Sequence, residues 1–506
     1  MSDAPRDSLR NAVLTGRFFG DVPAASELAE LVATSTPAEH LRLWFGKSWL
    51  ALLSRNADRV AVLRAPLDRD IASLDALIST QLDAVLHHPR LRRLEGSWRG
   101  LAWLVNRTPP GSRTRIKLMH ARWVAICRDL ERAADFDQSH LFRKVYEEQF
   151  GMAGGEPFGL LAGDYEVRHL PSPSHPTDDV AALAGLASIA AASFSPVALG
   201  ASPELLGLDR FSDAVPSADL STMLRGPEYQ RWRNAASRED MRFMAVVLPR
   251  VLGRAPWPDD GTRVDMFRYR THTPTAEQRV WTSPVYGLAA AAMRAFDRYS
   301  WPADVRGADI TEEPGGGLVD GLPFERFFSD PGEDASARAP LDLALTHEQE
   351  RQLSDSGFIP LSALDGLSEA CFATLPSLHR PPRMAKAAAA ADQRLSSQFN
   401  TLLCACRFAH CLKLMGRDMV GSFMAPEEVQ SQLQKWLDGF VSGIGTGGIE
   451  TTGQYPLLEA SVEVSEQRGR PGVYGCTVLL KPHHQLDEIG AAFRLVTEFA
   501  PRAAVA

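Results

Sequence analysis

Ile71, Leu74, Ile78, Leu82 and Val85 follow one another at spacings of 3, 4, 4 and 3 in "DIASLDALISTQLDAVLHHP", and Pro89 closes the run. That period predicts an amphipathic helix ended by the proline; a coiled-coil seam and a helix docked on a core fit it equally. Leu94, Trp98, Leu101 and Val105 carry the helical period on through "RLRRLEGSWRGLAWLVNRT". Its tryptophans are therefore expected in a core and not on a nucleic-acid surface. Upstream, "ELAELVATSTPAEHLRLWFGKSWLALL" carries short apolar stripes interrupted at Pro37. The first 65 residues hold too little chain to bury them, so this segment reads as a helical arm that packs on a partner or on a distant part of its own chain.

"TRIKLMHA" alternates as a short strand does. From Val180 to Pro203 there is no charge, but alanine, serine and glycine dominate and Pro196 interrupts, which favours a buried helix and turn over a membrane span. Leu395, Phe399, Leu402, Cys406 and Ala409 form one stripe, widened by Leu403 and Cys411. A helix apolar on most faces belongs in the middle of a domain. "LLEASVEV" and "VYGCTVLLKP" flank the turn "SEQRGRPG" as a β-hairpin, with Val462 and Val464 alternating against Glu459, Ser461 and Glu463. "AAFRLVTEF" supplies one more strand. A lone hairpin is marginal in water, so these strands need further strands or a helix.

A chain of 506 residues exceeds one ordinary core, and two or three domains are expected. Pro/Gly-rich joints at 169–178, 253–262, 312–323, 329–340 and 443–456 separate blocks that mix helices and strands. The net charge of −8 argues against a generic nucleic-acid binder. The six cysteines form no CxxC pair, and "MSDAPRDSLR" lacks a signal-peptide layout, which points to a reducing cytosol.

Local chemistry is sparse. "EEPGGGLVDG" lacks the Lys-Ser/Thr of a P-loop, and "GIGTGG" follows no convincing strand. His87-His88 and His483-His484 are sequence neighbours, which cannot share one element face, and Cys404-x-Cys406 lacks a second ligand pair. No metal or cofactor is expected. Asp135, Asp137, Glu147 and Glu148 could form an acid–base cluster. Yet Leu141, Val145 and Tyr146 set a helical face there, with Asp137 or Ser139 as N-cap and Gly151 as the stop. The charges then decorate a solvated face, and an enzyme using Asp137 and Glu148 is the lesser reading.

"FDQSHLFRKVYEEQFGMAGGEPFGLLAGDYE" closely resembles the hallmark segment of the large sheath subunit of the bacterial type VI secretion system, the TssC/VipB/ImpC family. The resemblance continues through "LDAVLHHPRLRRLEGSWRGLAWLVNRT", "ASPELLGLDRF", "GPEYQRWRNAASREDMRFMAVVLPRVLGRAPW", "RGADITEEPGGGLVDGLP", "QLSDSGFIPL", "RFAHCLKLMGRDMVGSFM" and "LLKPHHQLDEIGAAFRLVTEF". It runs from about residue 70 to 499; residues 1–65 resemble the family little. Asp137, Glu147, Glu148, Gly154, Gly155, Pro157 and Asp164 carry the hallmark, with no catalytic residue implied.

The resemblance implies a multidomain α+β (mixed α/β) contractile-sheath subunit, related to phage tail sheath proteins, with extended terminal arms. Its expected parts are an arm at 1–68 packing on the small sheath subunit and neighbours, sheath core at 69–175, a middle domain at 176–370 and an inner domain at 371–506. It implies a bacterial cytoplasmic sheath on an envelope-bound baseplate, built with a small TssB/VipA-type subunit around an Hcp inner tube. Contraction drives tube and spike outward, and a ClpV-type AAA+ ATPase disassembles the sheath mainly through the small subunit. Neither nucleic acid nor direct membrane insertion is implied. Val462, Val464, Cys476, Val478, Leu480, Phe493 and Leu495 are expected on strands shared between subunits, and Glu427, Glu428 and Asp438 against the inner tube. Another phage-tail-like contractile particle is the alternative setting.

Overall fold

In a computed structural model the chain is described from residue 9 to residue 499, apart from 17–21, 34–35, 56–57, 153–154, 260, 262–263, 265, 310–313, 328–335, 365, 381–396, 421–424, 443–453, 467–473 and 483–492. It divides into two compact units, Met1–Arg92 with Pro256–Arg279, and Arg93–Ala255 with Val280–Ala506.

The first unit is helical: α1 (Leu9–Leu14), α2 (Val22–Ala33), α3 (Pro37–Phe45), α4 (Lys47–Arg55) and the long α5 (Arg59–Leu86). Asp58 caps α5 by accepting from Ala61 N at 3.0 Å. A small core of Leu9 and Ala12 gathers Val13, Leu28, Leu31 and Trp44. Polar chemistry ties it to α5. Arg10 holds the buried Asp70 through two bonds of 2.7 and 2.6 Å, and Trp44 donates to the same carboxylate at 2.9 Å. The bond from Arg10 keeps the Asp70 carboxyl below the usual range. The predicted stripe of α5 is not a core face: Ile71, Ile78 and Val85 are 55%, 50% and 58% exposed. They lie seven residues apart, an open heptad row.

In the second unit, α6 (Pro89–Asn106), from Arg93 onward, splits the expectation for its tryptophans: Trp103 packs against the core of Val285 and Leu288 and donates to Gly321 O at 3.1 Å, as expected, but Trp98 does not. Trp98 is 59% exposed, beside exposed Leu94 and Val105, while Gly96, Gly100 and Leu104 form the buried face. A Cβ at Gly96 would run into the Trp281 carbonyl, and one at Gly100 into Thr282 and Tyr286. Backbone approach through glycine, not burial of the stripe, seats this helix. "TRIKLMHA" is no strand either. Among the described residues none pairs with it. Arg115 and Lys117 are held by Glu156 and Gln149, while Ile116, Leu118 and Met119 are exposed.

After α7 (Trp123–Arg132) comes a four-stranded parallel sheet in the order β1 (Leu161–Val167), β2 (Val197–Ala201), β3 (Met244–Leu248), β4 (Phe358–Pro360). Parallel sheets require cover on both faces, and the alternation along β2 and β3 supplies it. Val197, Leu199, Met244, Val246 and Leu248 pack with Leu183, Leu186 and Ala190 of α8 (Asp179–Ser193). Ala198, Ala245 and Val247 pack with Val285, Leu288 and Ala292 of α9 (Val285–Tyr299). The uncharged stretch from Val180 is thus α8 and β2, buried as expected, and no helix among the described residues is long and apolar enough to cross a membrane. β1 and β2 stand on either side of residue 175, so the sheet draws on both of the segments expected as core and middle domain. The helix α10 (His347–Asp355) leads into β4, its start capped by Thr346, which accepts from Gln349 N at 3.3 Å.

The chain ends in α11 (Phe399–Val420), α12 (Pro426–Asp438) and an antiparallel sheet of β5 (Leu457–Glu466), β6 (Tyr474–Pro482) and β7 (Phe493–Phe499), in that order. The hairpin gains the company it needs inside its own chain, from β7 on one side and α12 on the other. Trp301, Phe408, Trp436 and Phe440 stack and edge together beneath it, the first two at 4.1 Å between ring centroids.

Candidate assembly interface

The hallmark segment is built from caps. Ser139, buried, accepts from Phe142 N at 3.1 Å and donates to Phe136 O at 2.7 Å. Asp129 accepts from the backbone of His140 and Leu141 at 3.1 and 2.9 Å. Of the two expected caps Ser139 takes the role and Asp137 stands exposed beside it. The chain then winds as a π-helix over Arg143–Gly151, burying Val145 and Phe150. Glu148 pairs with Lys144 at 2.8 Å, and Glu147 is exposed. Asp164, on β1, accepts from Tyr286 Oη at 3.2 Å; burial, then this carboxylate, push the Tyr286 hydroxyl above its ordinary pKa. Gly155 sits where a Cβ would strike the Gln149 carbonyl, Pro157 is half-buried, and Gly154 lies outside the described residues. Glu148 and Asp164 thus serve separate structural bonds, while Asp137 and Glu147 stand exposed.

What the segment does is grip α11. Lys413 donates to Tyr146 Oη at 3.0 Å and lies 5.0, 4.8 and 5.8 Å from the ring centres of Tyr146, Phe150 and Phe194. Arg417 donates to the carbonyls of Phe150 and Met152 at 3.5 and 3.4 Å. His410, fully buried, donates from Nε2 to Ser193 O at 2.9 Å and meets Phe150 edge-on. Burial pushes its pKa down to about 4, against the pull of that hydrogen bond. Neither Lys413 nor Arg417 stood out in the sequence, where both pass for solvated charges on a helix.

Val462, Val464, Cys476, Val478 and Leu480 lie on one face of the C-terminal sheet, all buried against Leu402, Cys406 and Leu412 of α11 and Val429, Leu433 and Leu437 of α12. Phe493 and Leu495 belong to β7 by their backbone pairing with Leu480 and Val478; their side chains lie outside the described residues. The five buried side chains hold the sheet to its own helices. The outer edge of β5 is already engaged. Gln434 Oε1 accepts from Val462 N at 2.9 Å, Gln434 Nε2 donates to Ala460 O at 3.0 Å, and Gln430 Oε1 accepts from Val464 N at 3.0 Å. No period or motif flags these glutamines.

Glu427 and Asp438 border a shallow groove on α12 with Gln430, Ser431, Gln434 and Lys435. Glu428 accepts from Ala425 N at 3.4 Å, which fastens the first turn. Among the described residues no three metal-ligating side chains come together. Cys411 is half-buried and the other five cysteines are buried, and burial raises their thiol pKa, Cys404 to about 12 and Cys476 to about 11, which makes them poor nucleophiles at neutral pH.

Two sequence families match. The EvpB/VC_A0108 tail sheath N-terminal domain covers residues 68–379, and the tail sheath gpW/gp25-like domain of the same group covers 388–499. The type VI secretion system sheath protein TssC1 of Pseudomonas aeruginosa is 34% identical over 492 residues, 96% of this chain and 94% of that protein. A chain in the cryo-EM structure of the anti-feeding prophage baseplate aligns at 13% identity with a TM-score of 0.31, covering 79% of this chain and 83% of its own, too distant to carry an argument.

Proposed function

This chain belongs to the VipB/EvpB tail sheath family and is a structural subunit of a contractile sheath of the type VI secretion kind, and from that premise we propose how it assembles. The carrying observation is the near full-length relationship to a named sheath protein, which includes both sheath domains. In this reading the chain pairs with a small TssB/VipA-type subunit, repeats as a helical tube around Hcp hexamers in the bacterial cytoplasm, and stands on an envelope-anchored baseplate. The ClpV-type ATPase reaches it mainly through the small subunit. The 1–68 arm packs on the small subunit and on neighbours.

Three features support assembly over self-sufficiency. The heptad row of α5 and the Leu94–Trp98–Val105 row of α6 are exposed apolar surfaces that suit helical partners. The C-terminal sheet ends in β7, whose outer side meets no further strand among the described residues, the kind of edge that β-augmentation uses. Tyr146, Phe150 and Met152 of the hallmark segment hold Lys413 and Arg417 of α11, so the segment acts as a joint between the two sheath domains. We assign Glu427 and Asp438 to the inner tube, since both are exposed on the polar face of α12.

The extended lattice is then metastable and gains subunit contacts on contraction. Fluorescent sheath in living cells tests this: the account expects full-length structures that shorten abruptly, and sheaths that assemble normally but never shorten would refute it. Glu427→Lys with Asp438→Lys is expected to impair assembly around Hcp; unaltered assembly would assign the tube contact to another face.

A further inference from the structure

Helix α11 opens the second sheath domain in sequence, yet it is packed into both. Phe399 and Leu403 lie in the core of Val285, Leu288 and Phe372 from the first domain. Arg407 stands 5.4 Å over the Phe296 ring of α9, and Phe408 stacks on Trp301 just beyond it. His410, Lys413 and Arg417 reach Ser193 and the hallmark segment, while Leu402, Cys406 and Leu412 carry α12 and the C-terminal sheet. The entry to the helix is fastened too. Ser377 N donates to Ser397 O at 2.8 Å and Phe399 N to Leu375 O at 2.7 Å, with an antiparallel bridge between Pro376 and Gln398. Backbone hydrogen bonds thus join the chain on the two sides of the connection between the domains. The helices on the two faces of the parallel sheet both end in left-handed residues other than glycine, Phe194 (φ 52°) after α8 and Ser300 (φ 67°) after α9. Glycine ordinarily takes that position, and a larger residue is kept there where its surroundings over-determine it. The turn at Phe194 brings its ring to 5.8 Å from Lys413, and the turn at Ser300 delivers Trp301 onto Phe408. Both strained caps serve α11.

We propose that α11 is the shared strut of one folding unit made by both sheath domains, and that this unit holds together without the covalent connection at Ala387–Ala388. The two family domains are then divisions of sequence and not of folding. A flexible connection of this length raises the effective concentration of its two ends to about the millimolar range. The aromatic stack, the cation held by three rings and the paired backbone are buried contacts that exceed what such a connection adds. Separate fragments are therefore expected to stay together at about micromolar concentration. The proposal does not depend on what the sheath does.

A protease recognition sequence inserted between Ala387 and Ala388 of the full chain, purified with its small subunit and then cleaved, tests it. Both fragments should elute together, melt in one transition and form tubes as the uncut chain does. Fragments that part on gel filtration, or a C-terminal fragment that melts separately, would overturn the proposal and leave the sheath function standing. An uncut chain that forms no tube with any small subunit would overturn the function, while co-elution of the fragments still judges the proposal. Should the inserted chain fold poorly or resist cleavage, hydrogen exchange on the parent decides. The amides of Leu402 and Leu412 in α11 should then open within about tenfold of those of Leu199 and Val246 in the parallel sheet, and looser opening of α11 would overturn the single unit.

Discussion

Replacing Lys413 by methionine removes the charge at the joint and keeps the length of the side chain. The ammonium lies about 5 Å from the Tyr146 and Phe150 ring centres, 5.8 Å from Phe194 and 3.0 Å from Tyr146 Oη. A partly desolvated cation–π contact contributes about 1–2 kcal/mol, and a hydrogen bond from a charged donor about 1.5 kcal/mol. Methionine restores about 0.5–1 kcal/mol through sulfur–aromatic contact. The net loss is about 2 kcal/mol, roughly a thirtyfold rise in the local opening of the hallmark segment. Hydrogen exchange across residues 143–151 reads that opening, and the denaturant midpoint reads the chain. Lys435→Met, on the exposed face of α12, is the control and should change stability by less than about 0.5 kcal/mol. If Lys413→Met were as silent as the control, the grip of the hallmark on α11 would be mere proximity.

Three further outcomes follow from the same geometry. His410 has its pKa lowered to about 4 when folded against about 6.5 unfolded, so stability is complete above about pH 6.5 and falls as pH drops toward 4, by at most about 3 kcal/mol; denaturant midpoints against pH should lose most of this slope in His410→Gln. Gly96→Ala should lower the melting temperature despite better helix propensity, because the added methyl meets the Trp281 carbonyl, at a cost of about 1–3 kcal/mol; a raised melting temperature would contradict that packing. Ile71→Glu and, separately, Trp98→Glu should leave the chain's own stability within about 0.5 kcal/mol and reduce co-purification of the small subunit, since both side chains are exposed.

Periodicity made some of this legible and misled elsewhere, for physical reasons. The Val462–Val464 alternation, the uncharged run from Val180 and the apolar helix through Cys404 and Cys406 all face their own core, and each was readable as it folds. On α6 the same rule put Leu94, Trp98 and Val105 on the wrong side, and on α5 it left a seam and a docked face both open, where Ile71, Ile78 and Val85 stand exposed. In a subunit of a larger assembly an apolar stripe need not point inward, and Gly96 and Gly100, which let α6 approach closely, carry no hydrophobic signal. "TRIKLMHA" has a strand's alternation, but alternation cannot supply a pairing partner, and the described residues hold none. Gln430 and Gln434 are invisible in the same way: polar side chains on an amphipathic helix look solvated until a strand edge is seen beside them. The family itself was legible from the hallmark, because its caps and glycine placements form a long, specific string.

Negative-stain imaging of this chain co-expressed with a TssB/VipA-type small sheath subunit measures the central claim most directly. The account predicts long hollow tubes containing both subunits, cogwheel-shaped in cross-section. Discrete monomers of the large chain, stable and unaccompanied at every concentration, would contradict it.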